Sequence, residues 1–142
     1  MKHKLAKTRR MQKLFRENGR SLIVAMDHGT YMNVLPQAAD PGKLIKEMRA
    51  GGADAILTTM GIASMYAYEI GSMALILRID GSGSHLDRSM RFDQRFTVEN
   101  AVRLGAEAVA VMGFPGVNDD QTLQTVARVA SQCDEWNMPL LA

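Results

Sequence analysis

An α/β fold, with parallel strands alternating with helices, is what this 142-residue sequence predicts. Three observations lead there. Apolar runs of strand length recur at 21–26, 53–59, 73–79 and 106–113, with helical patterns between them. These runs do not alternate apolar with polar residues, so both of their faces are expected to be covered, as in parallel sheets flanked by helices. No long linker separates the units, which leaves a (β/α) barrel or an open doubly wound sheet.

The elements follow in order. Residues 1–20, "MKHKLAKTRRMQKLFRENGR", read as an amphipathic basic helix, with Leu5, Met11, Leu14 and Phe15 near helical spacing. "SLIVAM" is the first strand. "ADPGKLIKEMRAGG" is a helix that Asp40 caps, Pro41 opens and Gly51–Gly52 close. "ADAILTT" is the second strand, "IASMYAYEI" a short helix and "MALILRI" the third strand. "DGSGSHLDRSMRFDQRF" reads as a polar loop. A helix from Thr97 to Leu104 leads into the fourth strand, "AEAVAVMG". A long helix over 120–137 presents Leu123, Val126, Ala127 and Ala130 on one face, and "MPLLA" opens a fifth apolar run. "GGADAIL", starting at 51, is echoed by "LGAEAVAV", starting at 104, which favours the repeated geometry of a barrel. The expected organisation is a basic helix over 1–20 that covers the bottom of a partial (β/α) barrel over 21–142.

Composition narrows the function classes. Hydrophobic residues make up 46% and charged residues 23%, as in ordinary globular proteins. One cysteine excludes an intrachain disulfide framework. No apolar run approaches a membrane span, and no apolar h-region follows the basic N-terminus, so no membrane partner and a cytoplasmic location are expected. Residues 1–20 hold eight Lys or Arg against one acid, while the whole chain is only +2. Such an arm can bind polyanions, but no aromatic interleaving accompanies it, and no nucleic-acid partner is expected.

The chemistry concentrates where the first strand ends. "SLIVAMDHGT" places Asp27 and His28 at its C-terminal edge, the edge that carries active sites in parallel α/β folds. Neighbouring strand residues point to opposite faces, so the two side chains should diverge. Asp27 can act as a proton acceptor or donor; equally, it can cap a turn while His28 fills a polar gap. Asp80 ends the third strand as Asp27 ends the first. Behind it, Gly81, Ser82, Gly83 and Ser84 form either a donor-rich substrate loop or a surface turn. Few ligands accompany the Asp-His pair, so no metal and no cofactor are expected.

The blocks "RMQKLFRENGRSLIVAMDHGT", "DPGKLIKEMRAGGADAILTTMGIA", "TVENAVRLGAEAVAVMGFPG" and "CDEWNMPLLA" resemble, in order, the archaeal-type class I fructose-bisphosphate aldolases. The wider group comprises class I sugar-phosphate aldolases, including autoinducer-2-processing proteins. The resemblance implies a TIM barrel that uses a lysine Schiff base on a phosphorylated ketose or a related phosphorylated diketone. It assigns proton transfer and substrate contact to Asp27 and a supporting role to His28. Asp80, Ser82 and Ser84 would contact substrate.

The same resemblance raises expectations about extent. It matches the N-terminal half of a family member only: strands 1–4 and the start of strand 5. The Schiff-base lysine of strand six, the phosphate loops of strands seven and eight and an aromatic residue after strand five would then be missing. Lys43 and Lys46 lie on a helix, and Met60 stands where relatives often carry a basic residue. The expectation is a truncated chain without activity of its own. The alternative is a non-catalytic chain that self-associates as a homo-oligomer or complements a missing half. Replacing Asp27 is expected to reduce turnover strongly and stability little.

Overall fold

The computed structural model describes residues 3–83, 86, 91–117 and 119–142. In chain order the elements are α1 (His3–Leu14), β1 (Ile23–Met26), 3-10 turns at His28–Thr30 and Pro36–Ala38, α2 (Pro41–Ala50) and β2 (Ala55–Thr58). There follow α3 (Met60–Met65), α4 (Ala67–Ile70), β3 (Ala74–Arg78), β4 (Asp80–Gly81), β5 (Asp93–Gln94), α5 (Val98–Arg103), β6 (Ala108–Ala110), α6 (Asp119–Trp136) and β7 (Leu140–Leu141).

Five strands form one parallel sheet in the order β1-β2-β3-β6-β7. Each new strand is added on the same side of the last, with helices between. An open doubly wound sheet reverses that order at a switch point, and none occurs among the described residues, so the sheet has barrel-type progression. Two further strands, β4 and β5, pair antiparallel as a short ribbon.

The predicted N-terminal half of a TIM barrel, strands 1–4 and the start of strand 5, is therefore corrected. Among the described residues there are seven strands and six α-helices, distributed over the chain. The predicted polar loop contains the ribbon, whose two-residue strands are too short to show a period of two. The single short helix predicted over 62–70 is two, α3 and α4, broken at Tyr66.

Side-chain parity sorts the core into two layers. Met26, Ile56, Leu75, Leu77, Ile79, Val109 and Val111 face the helices, where they meet Ile45, Ala63, Ile70, Val98, Val129 and Cys133. The opposite face carries Ala55, Ala74, Ile76, Ala108 and Ala110, with Ile23 and Leu57 partly buried beside them. Leu14 of α1 packs into this second layer. The residues that face the helices are mostly large, and each contributes about 1.5–3 kcal/mol on full burial. The other face is dominated by alanine, which suits the crowded side of a curving sheet.

Caps fix the helix boundaries. Asp40 accepts from the Lys43 N–H, and Pro41 opens α2. Thr59 accepts from Ile62, and Thr97 forms a reciprocal capping box with Asn100. Asn137, at φ 51, takes the left-handed position that ends α6.

The basic N-terminal segment is fastened to the starting ends of the strands. Arg10 donates to the Ala106 carbonyl at 2.6 Å. Lys13 donates to Glu107 Oε1 at 2.7 Å, while Glu107 Oε2 accepts the Leu75 N–H. Arg16 donates to Asp54 Oδ1 at 2.7 Å and to the Gly52 carbonyl, and Asp54 Oδ2 accepts the Leu22 N–H. The hydrogen bond from Arg16, then that from Leu22, holds the Asp54 carboxyl below its ordinary value; the same bond to Asp54 raises Arg16. These three cations are committed to the fold.

Candidate active site at the strand ends

Asp27 follows β1 directly and shares the parity of Ile23 and Ala25. It is 3% exposed. Its side chain does not cap the following 3-10 turn. Asp27 Oδ2 instead accepts from Arg78 Nη1 at 2.6 Å. Asp27 is therefore a buried, paired charge rather than a lightly packed rim group. That corrects the expectation that its replacement would hardly touch stability.

Arg78 is the last residue of β3, on the same face as Ala74 and Ile76. Its Nε donates to Asp80 Oδ1. Asp80 Oδ2 accepts the Met112 N–H at 2.8 Å, beyond the end of β6. A chain of charge-assisted hydrogen bonds thus runs Asp27–Arg78–Asp80–Met112 and links the ends of β1, β3 and β6. Arg78 and Asp80 are 3% and 2% exposed, so these three charges lie almost out of water.

Aromatic rings enclose the guanidinium. Arg78 Cζ lies 5.6 Å from the Tyr31 ring centroid and 5.7 Å from that of Phe92, within cation–π range. Phe92 is fully buried and continues to Phe114 at 5.1 Å, while Tyr31 continues to His28 at 6.0 Å. Burial first, and then the charge of Asp27, push the Tyr31 phenol above its ordinary value; Arg78 acts in the opposite direction.

His28 diverges from Asp27, as neighbouring residues at a strand end should. It lines an apolar groove with Met26, Val34, Leu35, Met60 and Phe96. The Ser82 N–H donates to the Thr30 carbonyl at 3.1 Å, which brings the loop after β3 against the turn after β1. Gly81 permits that approach, since a Cβ there would stand 3.0 Å from the Thr30 carbonyl oxygen. Ser84 lies outside the described residues. Both oxygens of Asp80 are engaged within the protein. Lys43 and Lys46 are exposed on α2, and Lys13 is at the opposite end of the sheet, bonded to Glu107. Among the described residues no cluster of three or more His, Cys, Asp or Glu could hold a metal ion.

Sequence reasoning misses Arg78, Tyr31 and Phe92. One signal is available: Arg78 is the only charge in the otherwise apolar run 73–79, and a charge inside a covered strand needs a partner.

A parallel sheet with barrel-type progression, with a buried Asp27–Arg78–Asp80 cluster at its strand ends, defines an α/β protein of the barrel class. Residues 21–142 match the profile of the DeoC/LacD family aldolases, and the chain belongs to that family. It is 30% identical to the class 1 fructose-bisphosphate aldolase of Thermoproteus tenax, over 94% of this chain and 52% of that protein. It is 31% identical to the 2-amino-3,7-dideoxy-D-threo-hept-6-ulosonate synthase of Halobacterium salinarum, over 96% of this chain and 51% of that protein. A solved archaeal fructose 1,6-bisphosphate aldolase, whose catalytic lysine is covalently bound to the carbinolamine intermediate, superposes with a TM-score of 0.81 at 30% identity. That superposition covers 94% of this chain and 55% of the solved one.

These matches correct the expectations about extent. On this chain the resemblance is nearly end to end, 94–96% in the two named relatives, and not confined to a part. The expectations of a fragment, of an inactive truncated chain and of an absent Schiff-base lysine region do not stand. They rested on where the sequence stops, which determines none of them. The chain spans about half the length of the curated relatives it matches. Among the described residues no helix is long and apolar enough to cross a membrane.

Proposed function

We propose that the protein is a class I aldolase that acts on a phosphorylated ketose or a related phosphorylated diketone through a lysine Schiff base. The observation that carries this is the buried Asp27–Arg78 pair at the C-terminal ends of the strands, in a chain of the DeoC/LacD family. Asp27 is the proton-transfer group. An iminium formed from the substrate ketone and a lysine amine draws electrons from the adjacent carbon–carbon bond. Asp27 removes the proton from the hydroxyl that becomes the product aldehyde. The burial of Asp27 supplies the low-dielectric surroundings in which such a proton transfer is effective.

The remaining roles follow from position. His28 borders the same strand end and supports the turn behind Asp27. Ser82 supplies a hydroxyl to substrate from the loop after β3, with Asp80 holding the base of that loop; Ser84, outside the described residues, is assigned the same role from the sequence alone. The chemistry needs no metal or cofactor, since the iminium serves as the electron sink. A cytoplasmic location and a homo-oligomeric state complete the proposal. Exposed apolar side chains at Val34, Met65 and Tyr68 support association between copies.

The test is reduction with borohydride in the presence of fructose 1,6-bisphosphate, the compound that names the Thermoproteus relative, followed by mass spectrometry. The expected result is a substrate-dependent adduct on one lysine, which is none of Lys13, Lys43 and Lys46 as they are placed here, together with loss of turnover. Turnover that survives borohydride without an adduct contradicts the Schiff base.

A further inference from the structure

We propose that Arg78 is a positioning residue, which holds Asp27 in one orientation and presents its free oxygen for proton transfer. The inference rests on the proton-transfer reading of Asp27 and goes beyond it. Three observations carry it. First, the bond from Arg78 Nη1 takes Asp27 Oδ2, and no described residue donates to Oδ1. A carboxylate tied by one oxygen keeps the other in a fixed direction. Second, Arg78 is itself over-determined. Asp80 takes Nε, the Met112 N–H holds Asp80, and Tyr31 and Phe92 flank the guanidinium. Position is therefore passed from β6 through β3 to β1. Third, this arrangement is expensive as architecture. Removing three charges from water costs several kcal/mol per ion, and apolar residues of similar size often serve stability as well or better. Arg78 Nη2 even remains buried without a partner among the described residues. A group retained at such cost, beside a candidate acid–base residue, fits a device for orientation better than one for stability.

The planar fork of arginine is needed for this. Two of its nitrogens bind two carboxylates, one just after β1 and one in β4, along fixed directions, and a lysine ammonium is a point charge without that geometry. Lysine would keep a positive charge in the site while losing the double clamp.

The test uses the whole 142-residue chain with 13C-labelled aspartate and 15N-labelled arginine. In the unmodified chain Asp27 should show the couplings of a single rotamer, and Arg78 should show slowly exchanging Nε–H and Nη–H signals. Asp27→Asn should shift the Nη signal more than the Nε signal, and Asp80→Asn the reverse. In Arg78→Met the Asp27 couplings should collapse to the average of several rotamers, with Arg78→Lys intermediate. Arg78→Gln serves as a second variant should Arg78→Met not fold. An Asp27 that keeps one rotamer in a folded Arg78→Met or Arg78→Gln chain overturns the proposal. Turnover separates this failure from failure of the underlying reading. Loss in Asp27→Asn with full retention in Arg78→Met refutes positioning and leaves proton transfer by Asp27 intact. Full retention in Asp27→Asn refutes proton transfer itself.

Discussion

Arg78, the last residue of β3, and Asp27, which follows β1, stand 51 positions apart, yet their side chains meet at 2.6 Å in a setting almost closed to water. The contact requires β1 and β3 to flank β2 in parallel register, with Ala25, Leu57 and Ile76 level across the sheet. It therefore reports on the fold and on the candidate site together.

Arg78→Met should destabilise the chain by about 3–5 kcal/mol, because it leaves two buried carboxylates without their cation. Replacing Asp27, Arg78 and Asp80 together by apolar residues of similar volume should recover most of that loss. Urea denaturation midpoints and slopes measure both. A single variant as stable as the parent contradicts the buried pairing.

Asp27→Asn should lower turnover by about 10² to 10⁴, the range typical of a positioned acid–base group. The amide keeps the size of the carboxylate, and its oxygen can still accept from Arg78, so the stability loss should be smaller than in Asp27→Ala. Unchanged turnover at every pH contradicts the role.

Gly81→Ala should cost about 1–3 kcal/mol, since the new methyl group meets the Thr30 carbonyl oxygen at 3.0 Å and forces the loop from the turn. Gly61→Ala is the control. It lies in α3, and its Cβ would meet only Thr59 Oγ1 at 4.0 Å, so it should stabilise by up to about 1 kcal/mol. Thermal melts of the two variants should move in opposite directions.

Acid should weaken the attachment of the N-terminal segment. Asp54 has a folded-state pKa below its unfolded one, owing to Arg16 and then the Leu22 N–H. Its contribution is complete above the ordinary carboxylate pKa of about 3.9 and disappears as the pH falls through the lower, folded value. The stability difference between the parent and Asp54→Asn should be constant near neutrality and shrink below about pH 4. A difference that grows toward acid contradicts the pairing.

Cys133 is buried against the helix-facing core, and its thiol is pushed up to about 11, chiefly by burial. In the native chain at pH 8 it should react with a thiol reagent far more slowly than in the unfolded chain. Equal rates would mean that α6 does not pack as described.

Much of the fold is legible in the sequence. Continuous apolar runs mark the five parallel strands, and Asp40, Pro41 and Thr97 mark helix starts by their capping chemistry alone. Asp27 stands out because a charge at the end of an apolar run is conspicuous. Its partner does not, because pairing between β1 and β3 depends on register, which local patterns do not encode. The β4–β5 ribbon is invisible for a related reason: its strands are two residues each, too short to show a period, and their pairing joins positions 80–81 to 93–94. The expectations about a missing half fail differently, because they draw chemistry from the position of a chain end.

The most direct measurement is borohydride trapping with fructose 1,6-bisphosphate, run in parallel on the parent protein and on Asp27→Asn, with turnover recorded in the same samples. Schiff-base chemistry with Asp27 as the proton-transfer group gives a lysine adduct in both. In Asp27→Asn, turnover falls by about 10² or more while the adduct persists, because the imine forms but the bond-breaking proton transfer is impaired. Undiminished turnover in Asp27→Asn, with no adduct in either protein, would contradict both the Schiff base and the role of Asp27.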